Sequence, residues 1–413
     1  MGLPDSAYTR PDPTDLQLVL VNGLVAYVAR ADQVPLVTMS AFVRAGKIDD
    51  DKLGSAESLL DALRKSGPEA ALQRMTAELT VEMHDEWTEI ALNVPAEDLD
   101  QALSIFADML RTPAISAANI ESAAADAAPT PAEASLDAAV DRFYDVIYAD
   151  HPYGVQPTAD DFAQLDAADI EDFHARFFVP GNMTIAVAGD IDVDAVNGQL
   201  VDLFSDWSAS DIPEHRQLPP TEATASKLHN VPASKLLSWL VFGNDLPPVP
   251  LDEQAALDVM NYILGAEHLT TRLMIATRYK YGLTNDASAF LEDKWFGPGG
   301  YSLRSYSRPE LIGTVYEKMM DEVVRIRSEK VSEEDLFIAK GALADGNFQI
   351  AYLDGYAATR SFALERLRYG NHDRSASYVQ RIRSVSEEDV LDAARKYLRP
   401  DEMQIILYAE NAL

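Results

Sequence analysis

Two stretches of the chain repeat one another in fixed register, and this constrains the fold more than any other feature. Asp166, Asp169, Ile170, Phe173, Phe177, Pro180, Met183, Ile185 and Val187 are matched by Ser386, Asp389, Val390, Ala393, Tyr397, Pro400, Met403, Ile405 and Leu407, every pair 220 positions apart. Each copy opens on a capping residue followed three positions later by an acid, the signature of a helix start. Apolar residues at helical spacing follow. Proline then stops the helix, because it has no N–H to donate and its ring clashes with the preceding turn. A short apolar strand completes the copy. A common register of this length indicates duplication. The chain therefore reads as two similar halves, residues 1–207 and 228–413, joined by a polar linker, residues 208–227, that carries Pro213, Pro219 and Pro220.

Other elements fit the same reading. Residues 16–21 and 25–29 flank Asn22-Gly23, a hairpin signal. Residues 36–43 are a further apolar strand, and residues 78–94 hold two strand-like runs around His84-Asp85. Helical spacing marks residues 54–63 and 98–110. The second half shows strands at 236–242 and 300–306 and helices at 252–264 and 312–326. Strands mixed with long helices predict an α+β fold, each half a mostly antiparallel sheet with helices packed on one face.

Charge and composition remove several function classes. Among 413 residues, 34 are Lys or Arg and 67 are Asp or Glu, a net charge of -33. Such a surface repels phosphate backbones and anionic membranes, so neither nucleic acid nor membrane is expected as a partner. The chain has no cysteine, which excludes disulfides, thiolate zinc sites and cysteine nucleophiles. The seven histidines (His84, His151, His174, His215, His229, His268 and His372) never fall four apart, so no helix presents two of them to one metal. They read as packed or solvated, and Glu82, His84 and Asp85 read as a solvated turn. No G-x-S-x-G elbow, Walker A loop or dinucleotide fingerprint is present.

Several short motifs occur in a telling order. Asn22-Gly23-Leu24, Val43-Arg44-Ala45-Gly46 and Gly54-Ser55-Ala56 are followed by His151-Pro152-Tyr153-Gly154. The run from Phe173 to Met183, with its Pro180-Gly181-Asn182, and then Ala188-Gly189-Asp190 come next, before Arg272-Leu273 and Gly282-Leu283-Thr284. Together they resemble the pitrilysin/insulinase-type zinc peptidases over nearly the whole chain. That family's zinc site is H-x-x-E-H on a helix, with the glutamate as general base on the zinc-bound water. Here Glu57 stands at the first histidine position, Leu60 at the base and Asp61 at the second histidine. The family's third ligand, a distant glutamate, falls near Ala127, with Glu121 and Asp126 close by. Imidazole suits zinc, whereas two carboxylates suit hard ions weakly, and leucine accepts no proton. No catalytic residue and no metal site is therefore expected in this chain.

The resemblance carries further implications. Family members hold substrate with an arginine and a tyrosine spaced R-x-x-x-x-x-x-Y. Arg278 matches the arginine, while Asn285 replaces the tyrosine, so these two are the candidate substrate contacts. Short members form clamshells from two chains, and some pair a zinc-bearing chain with a zinc-less one. The resemblance thus implies half of a clamshell and the non-catalytic subunit of a heterodimeric zinc peptidase. Its zinc is expected on a homologous partner carrying H-x-x-E-H, and its substrates are expected to be unfolded, basic peptides. The alternatives are a stand-alone homodimeric peptide-binding or scaffold protein, and an enzyme of altered metal chemistry using Glu57 and Asp61. Bacterial relatives of this size are often exported. The sequence opens Met1-Gly2-Leu3-Pro4-Asp5 with no signal segment, so a periplasmic location requires one already removed; otherwise the chain is cytoplasmic.

Overall fold

The computed structural model describes residues 9–67, 69–128, 133–214, 216, 218–222, 224–233, 236–266 and 268–410. His215 and residues 1–5 lie outside them. Among the described residues the strands form two sheets. The first contains β1 (Gln17–Val19), β2 (Val25–Arg30), β3 (Leu36–Val43), β4 (Glu78–Met83), β5 (Thr88–Pro95) and β6 (Met183–Gly189), in the order β1-β2-β6-β3-β5-β4. The second contains β7 (Lys227–Pro232), β8 (Ser238–Leu246), β9 (Ala287–Glu292), β10 (Gly299–Ser307) and β11 (Gln404–Ala409), in the order β7-β11-β8-β10-β9. Each sheet has one parallel pair, β2 with β6 and β7 with β11, and is otherwise antiparallel.

The repeat in the sequence is a repeat in space. Asp166 and Ser386 each cap a helix (Ala167–Phe177 and Glu387–Tyr397), and Asp169 and Asp389 close the reciprocal bond to the cap backbone. Pro180 and Pro400 open short 3-10 turns just beyond those helices, and β6 and β11 follow. Ile185 pairs with Ala26 in one sheet and Ile405 with Leu228 in the other.

In each half the half's own helices gather on one sheet face. Ala26 and Val28 point toward Leu59, Phe106 and Ile170 of the first half; Leu240 and Phe242 point toward Leu257, Met260 and Val323 of the second. Successive strand residues face opposite ways, and the other face is covered from across the molecule. Val25, Tyr27, Phe42 and Ala186 pack under the Gly355–Tyr369 helix, where Phe362 is fully buried. Reciprocally, Val241 and Ile406 pack under the Leu136–Ile147 helix through Ala139 and Phe143. The N-caps of these two helices, Ser135 and Asp354, are 219 positions apart, so corresponding helices have been exchanged between the halves. Gly355 eases the close approach, since a Cβ there would lie a tight 3.0 Å from both the Ala29 Cβ and the Arg30 carbonyl oxygen. Burying each phenylalanine contributes about 1.5–3 kcal/mol.

Some details differ from the sequence reading. The strand expected at 236–242 runs Ser238–Leu246, and β7 and β9 were not anticipated. Leu16 ends a one-turn helix, Pro13–Leu16, that precedes β1. The turn after β4 is only partly solvated. Glu82 and His84 are exposed, but Asp85 is ion-paired to Lys294 at 2.7 Å. The next residue, Glu86, is buried; it accepts from the Tyr153 hydroxyl and from the backbone N–H of Trp295 and Phe296, at 2.5 and 2.6 Å. This turn fastens the two halves together. Among the described residues no helix is long and apolar enough to cross a membrane.

Candidate functional site

The degenerate motif occupies the Ser55–Arg64 helix. Its start is fixed by local chemistry. Gly54 sits at φ +99°, a left-handed conformation glycine adopts without penalty, and a Cβ there would meet the Phe162 ring at 2.8 Å. Asp50 accepts from the Gly54 N–H at 2.7 Å, and the Ser58 hydroxyl donates to the Gly54 carbonyl at 2.7 Å. The helix then packs against the Ala117–Asp126 helix, the Ala167–Phe177 helix and β4.

Glu57, Leu60, Asp61 and Ala127 all line one cavity of about 1,070 Å³. The structure thus brings together the four positions where ligands and base would stand. Asp126 also lines it, whereas Glu121 does not. Arg64, Lys47 and the end of β4, with Glu82 and His84, complete the polar wall, and residues 156–159 with Phe162 close the far side. His84 stacks on Trp87 with ring centroids 4.0 Å apart. Its place at the rim carried no signal in the sequence, because the hairpin that delivers it lies some 25 residues from the motif.

Neither acid of the motif is freely solvated: Glu57 is half-buried and Asp61 buried. Burial pushes the Glu57 carboxyl up from its ordinary range. Asp61 is buried, and burial alone would raise it too. Hydrogen bonds outweigh that: Lys65 lies 2.8 Å from one oxygen, and the Asn119 amide donates to the other at 2.9 Å, holding the carboxyl below its usual range. Just before the helix, burial raises Asp49 to about 6 and Asp50 to about 7. The residues present do not fit a zinc ion. Both oxygens of Asp61 are engaged by Lys65 and Asn119, Leu60 and Ala127 offer no donor atom, and Glu57 alone makes no tetrahedral site. Among the described residues no three His, Cys, Asp or Glu side chains cluster as metal ligands. The other described histidines are engaged in packing: His174 is buried against the Leu110 carbonyl at 2.9 Å, and His151 lies 3.0 Å from that of Pro219.

Arg278 and Asn285 do not line this cavity. They meet each other in the second half, where Arg278 on the π-helical turn Ile275–Tyr279 donates to the Asn285 backbone carbonyl at 3.1 Å. Exposed Ile275, Tyr279 and Tyr281 surround them.

The two interlocked sheets thus carry a cavity-lining helix whose residues do not fit a zinc ion. Residues 164–343 match the family described as peptidase M16 inactive domain. An uncharacterized zinc protease of Mycobacterium tuberculosis is 24% identical over 399 residues, 92% of this chain and 90% of that protein. A solved peptidase M16 inactive domain from Pseudomonas fluorescens superposes with a TM-score of 0.79 at 17% identity, covering 96% of this chain and 98% of that one. The first half of the periplasmic protease PqqL of Escherichia coli gives 0.75 at 16% identity, covering 96% and 92%. Against whole PqqL this chain is covered completely but spans 47% of that protein. The chain is thus similar to the M16, or pitrilysin/insulinase-type, peptidases, carries no H-x-x-E-H motif, and has the half-clamshell fold.

Proposed function

We propose that this chain is the non-catalytic subunit of a heterodimeric M16-type zinc peptidase and forms one wall of its peptide-degrading chamber. One observation carries the reading. The motif helix is held in place beside an open cavity, yet Leu60 and Ala127 offer no donor atom, both Asp61 oxygens are already engaged, and Glu57 alone is left. Such a wall positions a substrate and leaves the chemistry to another chain. The zinc, with its H-x-x-E-H helix, resides on the partner. β4 is an edge strand bordering the cavity, so it offers backbone groups for pairing with an extended peptide. The net charge of -33 favours basic peptides, and Arg278 with Asn285 supplies a further contact. The match to about half of PqqL supports a unit that works alongside another.

The test is capture of the tagged chain from its native cells, with mass spectrometry of what it retains. A near-stoichiometric partner of similar size bearing H-x-x-E-H is expected, and the reconstituted pair is expected to cleave peptides that neither chain cleaves alone. Recovery of the chain only with itself, binding peptides without cleaving them, would overturn the subunit reading in favour of a stand-alone binding protein. Peptide cleavage by the purified chain, lost with Glu57→Ala, would overturn both.

A further inference from the structure

A second cavity, of about 440 Å³, lies where the two halves meet. Its volume is that of a small-molecule site, and such sites favour domain junctions. Its walls are aromatic faces: Trp87 from the first half, and Trp295, Phe348, Tyr369 and Tyr378 from the second. Trp87 and Trp295 stack nearly parallel, 5.6 Å between centroids and 4° between planes, and Phe348 stacks on Tyr378 at 5.6 Å and 13°. Asn347 stands at the mouth, at the end of the π-helical turn Ala342–Asn347. Turns of this kind recur at functional sites.

The charge lining this cavity runs against that of the chain. Arg368 and Arg374 both line it, and Arg10 reaches its wall by donating to the Ser375 hydroxyl at 2.8 Å. Two carboxylates stand behind the lining: Asp293, 2.8 Å from Arg368 and 3.7 Å from Arg374, and Asp258, which accepts from the Tyr378 hydroxyl at 3.2 Å and also faces Arg374. Arg374 also donates to the Tyr369 hydroxyl. The Nε of Arg368 is buried and has no hydrogen-bond partner among the described residues. The one acid in the lining, Glu365, is already committed. It accepts from the Ser375 N–H at 2.8 Å and hydroxyl at 2.5 Å and lies 3.5 Å from His372. In a chain of net charge -33, two of the three charged side chains that line this cavity are arginines.

We propose that this cavity binds a planar aromatic group carrying a carboxylate, whether a free aromatic acid or the C-terminal aromatic residue of a peptide. The ring stacks against the tryptophan and tyrosine faces, which favour offset or edge contacts with another ring. The carboxylate lies against Arg368 and Arg374, whose forked N–H donors match its geometry. The site is complete within one chain and is independent of any partner subunit.

Titration of the whole purified chain with 3-phenylpropanoate and with 3-phenylpropanamide, followed by tryptophan fluorescence and calorimetry, tests this without any substitution. The acid is expected to saturate the site and to bind about tenfold more tightly than the amide. Gly-Gly-Phe with a free or an amidated C-terminus forms the second arm. Preference for the free peptide over phenylpropanoate assigns the site to peptide ends, and the reverse assigns it to free acids. Arg374→Lys keeps the charge but loses the fork and is expected to narrow the acid–amide difference. Equal binding of acid and amide in both arms overturns the proposal. So does the absence of saturable binding up to about 10 mM, well above the range expected for one stacked ring and one ion pair.

Discussion

The Ser55–Arg64 helix and the Leu251–Leu264 helix hold equivalent places, each following a central strand of its sheet, yet they were put to different uses. The second is more fully covered, although a cavity of about 550 Å³ adjoins its first turns. It packs against the Glu333–Gly341, Asp373–Ser384 and Glu387–Tyr397 helices and buries Leu257, Val259, Met260 and Ile263. The first has counterparts of two of these neighbours, but a single turn, Ala159–Phe162, stands where the second half has the twelve-residue Asp373–Ser384 helix. The cavity remains in the space left uncovered. The second half keeps only a smaller opening, with Arg381 and Ser384 of the Asp373–Ser384 helix on its wall. The difference teaches that the size of the opening follows the length of one covering element, the single turn Ala159–Phe162 or the Asp373–Ser384 helix.

The largest expected effect breaks the comparison at its core. Val259→Asp places a carboxylate in a fully buried position and is expected to cost more than about 4 kcal/mol, whereas Leu60→Glu, at the cavity wall, costs about 1 kcal/mol or less. Urea unfolding of both variants measures the contrast, and equal losses would mean that the first cavity is closed in solution. A smaller effect lies in the tether of Asp61. Asn119→Ala removes a buried donor to that carboxylate and is expected to cost about 1–3 kcal/mol. In a double-mutant cycle with Asp61→Ala the two losses are expected to be non-additive; strict additivity would show that the bond carries no stability.

The smallest effect is one of sign. Burial raises Asp50 to about 7, so the folded chain holds a proton there that the unfolded chain releases at lower pH. Stability from this group is present below the ordinary carboxylate range and is lost as pH rises toward 7. Glu253, at the start of the Leu251–Leu264 helix, is held low by hydrogen bonds from Lys396 and Tyr397, so its contribution is present at neutral pH and lost as pH falls through its folded value. Asp50→Asn is therefore expected to flatten the decline of stability between pH 5 and 7, and Glu253→Gln to flatten its rise at acid pH. Chemical unfolding at a series of pH values distinguishes them, and slopes of the same sign in both variants would contradict the assignment.

Much of this architecture was legible because the repeat is carried by local signals. Caps at Asp166 and Ser386, stops at Pro180 and Pro400, and the alternation within residues 36–43 all act over a few residues. The departure from H-x-x-E-H at Glu57, Leu60 and Asp61 is read directly from the sequence. What could not be read is long-range. The bond from Asn119 to Asp61 spans 58 positions, and Glu86 meets Trp295 across 209. β7 escaped notice because it is an edge strand with mostly exposed residues, so no apolar run marks it. The exchange of helices was illegible for a different reason. Amphipathic spacing shows that residues 136–147 have an apolar face, but not which sheet that face will meet.

That exchange has a consequence in time. When residue 189 has been made, every strand of the first sheet exists, but Val25, Tyr27, Phe42 and Ala186 lie bare until the Gly355–Tyr369 helix is synthesised. At about 5–20 residues per second, the intervening chain takes on the order of ten to thirty seconds to emerge. For that interval the nascent protein presents an adhesive, incomplete surface at the ribosome. Its need for chaperones is thus set by the order of its elements along the chain, and a version cut short before residue 355 would keep that surface permanently.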